Sequence, residues 1–493
     1  MRDPTGEERR WNEQAAEAAL DDGVRSWSHA ELREQVHTLS GALQTRGTRV
    51  LATLMNNSPA WVVADLAAAQ AGVVHVPLPV FFTPQQIGHA LASTGVDTVL
   101  TTPELAARWA PAPQQPVEVA GCSLSWLALP ATPVAMPAAT AKVTYTSGTT
   151  GAPKGVCLST QAMRRVATSL VQAMEPLQVR RHLCALPFAV LLENIAGVMA
   201  PLASGATCIV LPLEQIGLLG SSRFDAQRFQ AAVVRHQPHS VILLPQMLRA
   251  WVAHLTHTGE RAPDSLKLVA VGGAAVGQRL LLAARHLGIP ACEGYGLSEG
   301  SSVQTLNLPG AERIGTAGRA LPHARLRVAA DGEIEVAGSL FAGYLGDTAA
   351  APEWWPSGDL GHIDADGYLH IQGRKKHVLI TSYGRNVSAE WVEVALHDQD
   401  AIAQAVVFGD DQPALSAVLW SARADATDAQ LQSGVDAANA TLPDYARIGR
   451  WVRGREAFSA ESGLATVNGR PRRGAILEMH ASALLATDAL ASD

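Results

Sequence analysis

The sequence predicts a layered α/β protein. A large N-terminal domain of mainly parallel sheets covered by helices, with a small antiparallel β region, is followed by a small α+β C-terminal domain. Three observations lead there. Short apolar runs alternate with helical patterns through the first two thirds of the chain, as repeated strand–helix–strand units do. From Arg325 the pattern changes to short alternating strands joined at Asp331-Gly332 and Asp366-Gly367, a hairpin signature. Past Lys376 roughly 120 residues remain, enough for a domain of their own. The 493 residues, 47% of them apolar, supply ample core, which excludes wholesale disorder and a disulfide-stapled mini-protein.

In chain order, Ser28 caps a helix from His29 with Leu32, Val36, Leu39 and Leu43 on one face. Residues 49–55 read as a strand, 59–71 as a helix and 73–80 as a buried strand. The segment 103–137, with Pro111, Pro113, Pro116, Pro130, Pro133 and Pro137, reads as a surface excursion before the strand 141–145. The apolar stretch 195–213 is broken by Pro201, Ser204, Gly205 and Thr207, so it predicts a buried helix and then a strand rather than a membrane span. Strands at 206–213, 240–244 and 267–271 surround a helix at 224–235. Beyond the hairpins, 388–397 is helical, and 403–409 and 412–421 are extended. We expect domains at 1–374 and 375–493.

Composition narrows the function classes. Lysine and arginine number 38 against 45 acidic residues, a net charge of −7, so no global basic field invites nucleic acid. The charged N-terminal stretch lacks the apolar segment of a secretory signal. Cys122, Cys157, Cys184, Cys208 and Cys292 form an odd set without a CxxC pair, which fits a reducing cytoplasm.

The strongest chemical signal is TYTSGTTGAPKG at 144–155. Three glycines, five hydroxyls and Lys154 follow a strand, so backbone N–H groups, hydroxyls and an ammonium can converge on phosphate oxygens. It is not a Walker A loop, because Gly155 follows the lysine where Ser or Thr is required.

This segment resembles the phosphate-binding signature of the adenylate-forming superfamily, which includes acyl-CoA synthetases, luciferases and peptide-synthetase adenylation domains. GGA at 272–274, GYGLSEG at 294–300 and SGDLGHIDADGYLHIQGRKKHVLITSYGRNVSAEWVE at 357–393 follow in the order of that family, and 56–79 is similar to its N-terminal region. The stretch 373–393 looks most like that of long-chain acyl-CoA synthetases. The resemblance covers nearly the whole chain.

It implies residue roles that suit the chemistry. Thr146, Ser147, Gly148, Thr149, Thr150, Gly151 and Lys154 would hold the triphosphate, and Glu299 would hold Mg2+. Gly272, Gly273, Ala274, Gly294, Tyr295, Gly296 and Ser298 would surround the adenosine, with Tyr295 as an aromatic face. Asp359 would accept from the ribose hydroxyls, with Arg374 a forked donor beside it. Lys376 matches the hinge of the small domain, and Gly384 lies in a loop resembling the thiol tunnel. The acyl pocket would include Phe188, Ala189 and Leu297. Residues 188–192 are apolar, so an amino-acid substrate would lack a counter-ion there. Glu193 could substitute as that counter-ion but reads rather as a cap or a solvent-facing carboxylate, and a fatty or aryl acid is expected.

The family's C-terminal catalytic lysine is missing. Lys376 is the last lysine, and Arg470 in GLATVNGRPRRGAI stands at its position, keeping the charge on a bulkier, planar group. The implied reaction uses MgATP to convert a small carboxylic acid to an acyl-adenylate. The acyl group then passes to the pantetheine thiol of coenzyme A or of an acyl carrier protein. The alternative is a nucleotide-binding regulator weakened in catalysis, while a kinase reading lacks its motifs.

Overall fold

The computed structural model describes residues 17–109, 114–146, 154–220, 223–347, 351–382, 385–410, 412–466 and 469–485. Two large sheets form the body. In the nine-stranded sheet, Ala18–Asp21, Thr207–Ile209, Arg181–Leu183, Ser240–Leu243, Leu268–Val271 and Ala291–Leu297 pair in parallel. Ser302–Leu306 and Arg319–Ala320 extend it antiparallel. The eight-stranded sheet has a parallel centre of Thr98–Thr101, Val50–Leu54, Val74–Pro77 and Thr140–Thr146, flanked by antiparallel pairs. Mainly parallel pairing therefore describes the first sheet and the middle of the second; hairpins finish the edges.

Local signals fix the helices between. Ser28 caps His29–Thr45 in a capping box with Glu31. Ser58 caps Pro59–Ala71, whose Pro lies in the first turn where its missing N–H has no helical partner, and Gly72 ends the helix in the left-handed region at φ 70°. That helix is buried almost all round, with Trp61 at 1% exposure, because it lies in the core shared by strands of both sheets.

The stretch 103–137 is not a surface excursion. It contains the helix Pro103–Trp109 and the strands Gln114–Val119 and Cys122–Ala128, the latter paired with Thr98–Thr101. Leu124, Trp126 and Leu127 are buried. The prolines masked a hairpin whose apolar face completes the core; Pro116 sits in the terminal strand, where a missing N–H is tolerated.

Arg325–Val328, Glu333–Ala337, Trp355–Ile363 and Leu369–Arg374 make a four-stranded antiparallel sheet, with Gly332 and Gly367 at positive φ in the expected turns. Further on, Ile402–Phe408, Leu415–Ser421 and Ile448–Arg453 form a sheet packed on Ala389–His397 and Asp428–Thr441, around its own core of Val392, Leu396, Val407 and Leu431. Arg249 Nη1 donates to the His397 carbonyl at 2.5 Å and Arg279 Nη1 to that of Asp398 at 2.8 Å, cations meeting the negative end of helix Ala389–His397. No helix among the described residues is long and apolar enough to cross a membrane.

Candidate active site

Strand ends of the nine-stranded sheet bring the predicted residues together. Leu268–Val271 runs into Gly272, Gly273 and Ala274, and Gly273 has φ 86°, where only glycine is unstrained. The neighbouring strand Ala291–Leu297 carries Gly294, Tyr295, Gly296 and Leu297, then turns through Ser298 and Glu299. A Cβ on Gly296 would lie 2.2 Å from the Ser302 carbonyl oxygen, so the strand can bulge there only as glycine.

The antiparallel sheet supplies the opposite side. Asp359 and Arg374 are cross-strand partners, with Arg374 Nε 2.7 Å from Asp359 Oδ1. The Tyr295 hydroxyl donates to Asp359 Oδ2 at 2.7 Å, joining the two sheets at one carboxylate. Burial raises the Asp359 pKa, while the Arg374 charge and the Tyr295 hydrogen bond act against that.

Lys154 and Glu299 meet through a residue the motifs did not flag. The Tyr344 hydroxyl donates to Glu299 Oε1 at 2.7 Å, and Lys154 Nζ sits 5.2 Å from the centre of the same ring. Tyr344 reaches them because Gly343–Tyr344 pairs with the edge strand Lys154–Ser159. Only the spacing of a Gly-Tyr pair could have hinted at it. Ser147, Gly148, Thr149, Thr150, Gly151 and Gly384 lie outside the described residues; Thr146 ends the strand opposite Lys154.

Arg470 crosses from the C-terminal region to this cluster. Its Nε and Nη2 donate to the Gly273 carbonyl at 3.3 and 3.0 Å. Burial and then the Arg374 charge push its guanidinium downward, while Asp359, Tyr295 and Glu299 act the other way. Partial burial, then Arg374 and Arg470, push the Lys376 ammonium downward. Lys154, Arg374, Lys376 and Arg470 thus stand beside the carboxylates Asp359, Glu299, Glu390 and Asp347, a mixture of forked donors and hard oxygen acceptors suited to a polyphosphate held with a divalent cation.

Two expectations are corrected. Phe188 is 1% exposed, its ring 5.1 Å from that of Trp61 and its N–H bonded to Asn57 Oδ1 at 2.9 Å, so it is a core residue rather than a pocket wall. Ala189 beside it is only partly buried, while Leu297 packs on the antiparallel sheet with Ala317, Ile334 and Leu369. Phe188→Ala is expected to lower unfolding stability by about 3–5 kcal/mol in denaturant titrations through the cavity it leaves, without reordering acid preference. Glu193 neither caps a helix nor meets solvent: it is fully buried, 3.2 Å from His182 Nε2, and accepts from the Leu186 N–H. With Cys184 these two form a buried group whose ligand atoms lie within 4.8 Å of one another. His182 Nδ1 meets Ser240 Oγ at 2.8 Å and the Cys184 thiol donates to the Gly197 carbonyl, so the group satisfies itself by hydrogen bonding.

Glu293, also unflagged, braces the glycine loop by accepting from the Val276 N–H at 3.2 Å, and burial pushes its carboxyl up to about 8. The folded chain then keeps a proton that the unfolded chain releases near 4.5, so this contribution to stability falls as pH rises from about 4.5 to about 8. Glu293→Gln keeps the acceptor and removes the titration. Its unfolding midpoint should match the wild type at pH 5 and exceed it by about 2–4 °C at pH 9, measured by calorimetry.

A family model described as "AMP-binding enzyme" matches residues 7–345, and one described as "AMP-binding enzyme C-terminal domain" matches 376–484. An indoleacetate–CoA ligase of Aromatoleum aromaticum is 28% identical over 426 residues, 78% of this chain and 80% of that protein. A long-chain-fatty-acid–CoA ligase of Mycobacterium bovis is 41% identical, over 154 residues only, 30% of this chain and 26% of that protein. Among solved structures, the o-succinylbenzoate CoA synthetase of Bacillus subtilis with its acyl-adenylate intermediate superposes with a TM-score of 0.76 at 22% identity, covering 96% of this chain and 97% of that one. That likeness supports the fold.

Proposed function

Because the chain belongs to the AMP-binding enzyme family, we propose that it is an AMP-forming acid–thiol ligase, which activates a carboxylic acid with ATP and transfers the acyl group to a pantetheine thiol. The observation that carries this is the convergence of Tyr295, Asp359, Arg374, Glu299, Lys154 and Arg470 from distant parts of the chain. Asp359 and Tyr295 would hold the ribose and adenine, and Lys154 and Arg374 the phosphates. The hard oxygen donor at Glu299, with Asp347 on the far side of Tyr344, suits Mg2+, which takes few protein ligands and would complete its shell with phosphate oxygens and water. When bound, Mg2+ neutralises charge on the phosphates.

The acid's carboxylate attacks the α-phosphorus, releasing pyrophosphate; the thiol then attacks the acyl carbonyl, releasing AMP. Positioning and fixed charge carry both steps, and no covalent enzyme nucleophile is needed. Lys376 would be the hinge between domains 1–374 and 375–493, with Gly384 beside the thiol path. Five free cysteines suit a reducing cytoplasm.

For the acid, an aryl or arylalkanoic carboxylate is favoured by the indoleacetate ligase, whose likeness spans most of both chains. A fatty acid is the second reading, favoured by the higher identity to the long-chain ligase over a shorter stretch. Pyrophosphate release across aryl, fatty and amino acids tests both, followed by coenzyme A against acyl carrier protein as acceptor. Release with aryl acids above fatty acids supports the first reading. No release, and no exchange of labelled pyrophosphate into ATP with any acid, overturns the ligase and leaves a nucleotide-binding regulator.

A further inference from the structure

Among the described residues, a buried charge network joins elements of the eight-stranded sheet to the helices beside it. Lys142 is 3% exposed and Asp65 6%. Lys142 Nζ lies 2.7 Å from Asp65 Oδ1 and 3.0 Å from Oδ2, and also donates to Asn194 Oδ1. Asn194 Nδ2 donates to Asp65 Oδ2 at 2.9 Å, His75 Nδ1 sits 2.6 Å from Asp65 Oδ1, and His75 Nε2 is 2.9 Å from Thr53 Oγ1. Burial pushes the Asp65 carboxyl up, but Lys142 and His75 more than offset it and hold it well below the usual carboxylate range; burial keeps His75 neutral.

The members come from different elements. Asp65 is on helix Pro59–Ala71, Thr53 and His75 on adjacent strands of the eight-stranded sheet, and Lys142 on Thr140–Thr146, the strand that leads toward Lys154. Asn194 lies on a π-helical stretch, Glu193–Met199. That stretch is pinned from its other side as well, because Glu193 reaches His182 and, through it, Ser240 of the nine-stranded sheet. Two consecutive buried polar residues thus tie one wide helical turn to both sheets. Leu191, just before it, packs on Val156 and Leu158 of strand Lys154–Ser159, and Leu192 Cδ2 would lie 4.0 Å from a Cβ on Gly272. π-turns are rare and recur at functional sites. A buried ion pair adds little net stability compared with apolar residues, so the observed arrangement is better explained by the geometry it enforces.

We infer that Lys142, Asp65 and Asn194 are positioning residues that fix the strand entering the phosphate loop against the Leu191–Leu192 turn, setting the gap in which carboxylate and α-phosphorus meet. This rests on the ligase reading above. A displacement of about 1 Å between reacting groups can cost roughly 10²-fold in rate.

The test is Asp65→Asn combined with Lys142→Met, which removes both charges together and leaves Asn194 Oδ1 without the lysine donor. Asn194→Leu, which leaves the ion pair intact, is the second variant. With an acid the wild type accepts, kcat for pyrophosphate release should fall by roughly 10²-fold in the double variant. KM for ATP and the rate of thioester formation from supplied acyl-adenylate should stay within about twofold. Amide hydrogen exchange over 140–146 and 193–199 should quicken in both variants. Equal losses in both half-reactions would mean a merely structural network, and wild-type kcat with unchanged exchange would overturn the inference outright. If the wild type itself turned over no acid, the ligase reading would fail and the positioning role with it; wild-type kcat in both variants of an enzyme that does turn over acid rejects the positioning role alone.

Discussion

Arg470→Ala is expected to slow acyl-adenylate formation by about 10²–10³-fold, the loss typical of one preorganised donor to a developing charge. The guanidinium already stands at the cluster. It donates to the Gly273 carbonyl and feels the charges of Asp359 and Glu299. A neutral carbonyl is a weaker partner than a phosphate oxygen, so ATP should draw the side chain away from Gly273. Thioester formation from supplied acyl-adenylate should change less, because there the thiol attacks the acyl carbonyl and the five-coordinate phosphorus of the first step is not formed. Single-turnover pyrophosphate release is the measurement, and a wild-type rate in the alanine variant would remove Arg470 from the chemistry. Arg470→Lys is the companion: a faster lysine variant would make the natural arginine a handicap retained for another purpose, such as the Gly273 contact that a single ammonium could not fork across.

Glu299→Gln should lower kcat/KM for ATP by about 10²–10³-fold, several kcal/mol of lost charge stabilisation. The substitution is conservative in shape, since the Tyr344 hydroxyl can donate to an amide oxygen as it does to Glu299 Oε1. What disappears is the negative charge that a hard divalent cation needs. The Mg2+ concentration for half-maximal activity should rise at least tenfold, and MgATP should protect the variant from thermal unfolding less than it protects the wild type. Tyr344→Phe separates the parts, because it frees the carboxylate without removing it, and should cost far less. An unchanged Mg2+ requirement in Glu299→Gln would assign the cation elsewhere.

Much of the fold was legible because its signals are local. Ser28 ahead of His29, the helical run 59–71, and the Asp-Gly turns at 331 and 366 each act within a few residues, and each gave the element it should. The proline-rich stretch 103–137 misled for the same reason. Its turns are local, but the burial of Trp126 comes from pairing with Thr98–Thr101 and from the core beneath.

Composition and residue order alone determined the α/β class and carried the motifs of the AMP-binding family, since these are properties of residue type and spacing. Tertiary structure alone decided that Tyr344 joins Lys154 to Glu299, that Phe188 and Glu193 belong to the interior, and that Lys142 finds Asp65 across 77 positions of chain. Side-chain partners at such separations are chosen by packing. Apolar faces must be covered and buried charges paired, and no pattern within one stretch of chain reports which distant surface will meet that need.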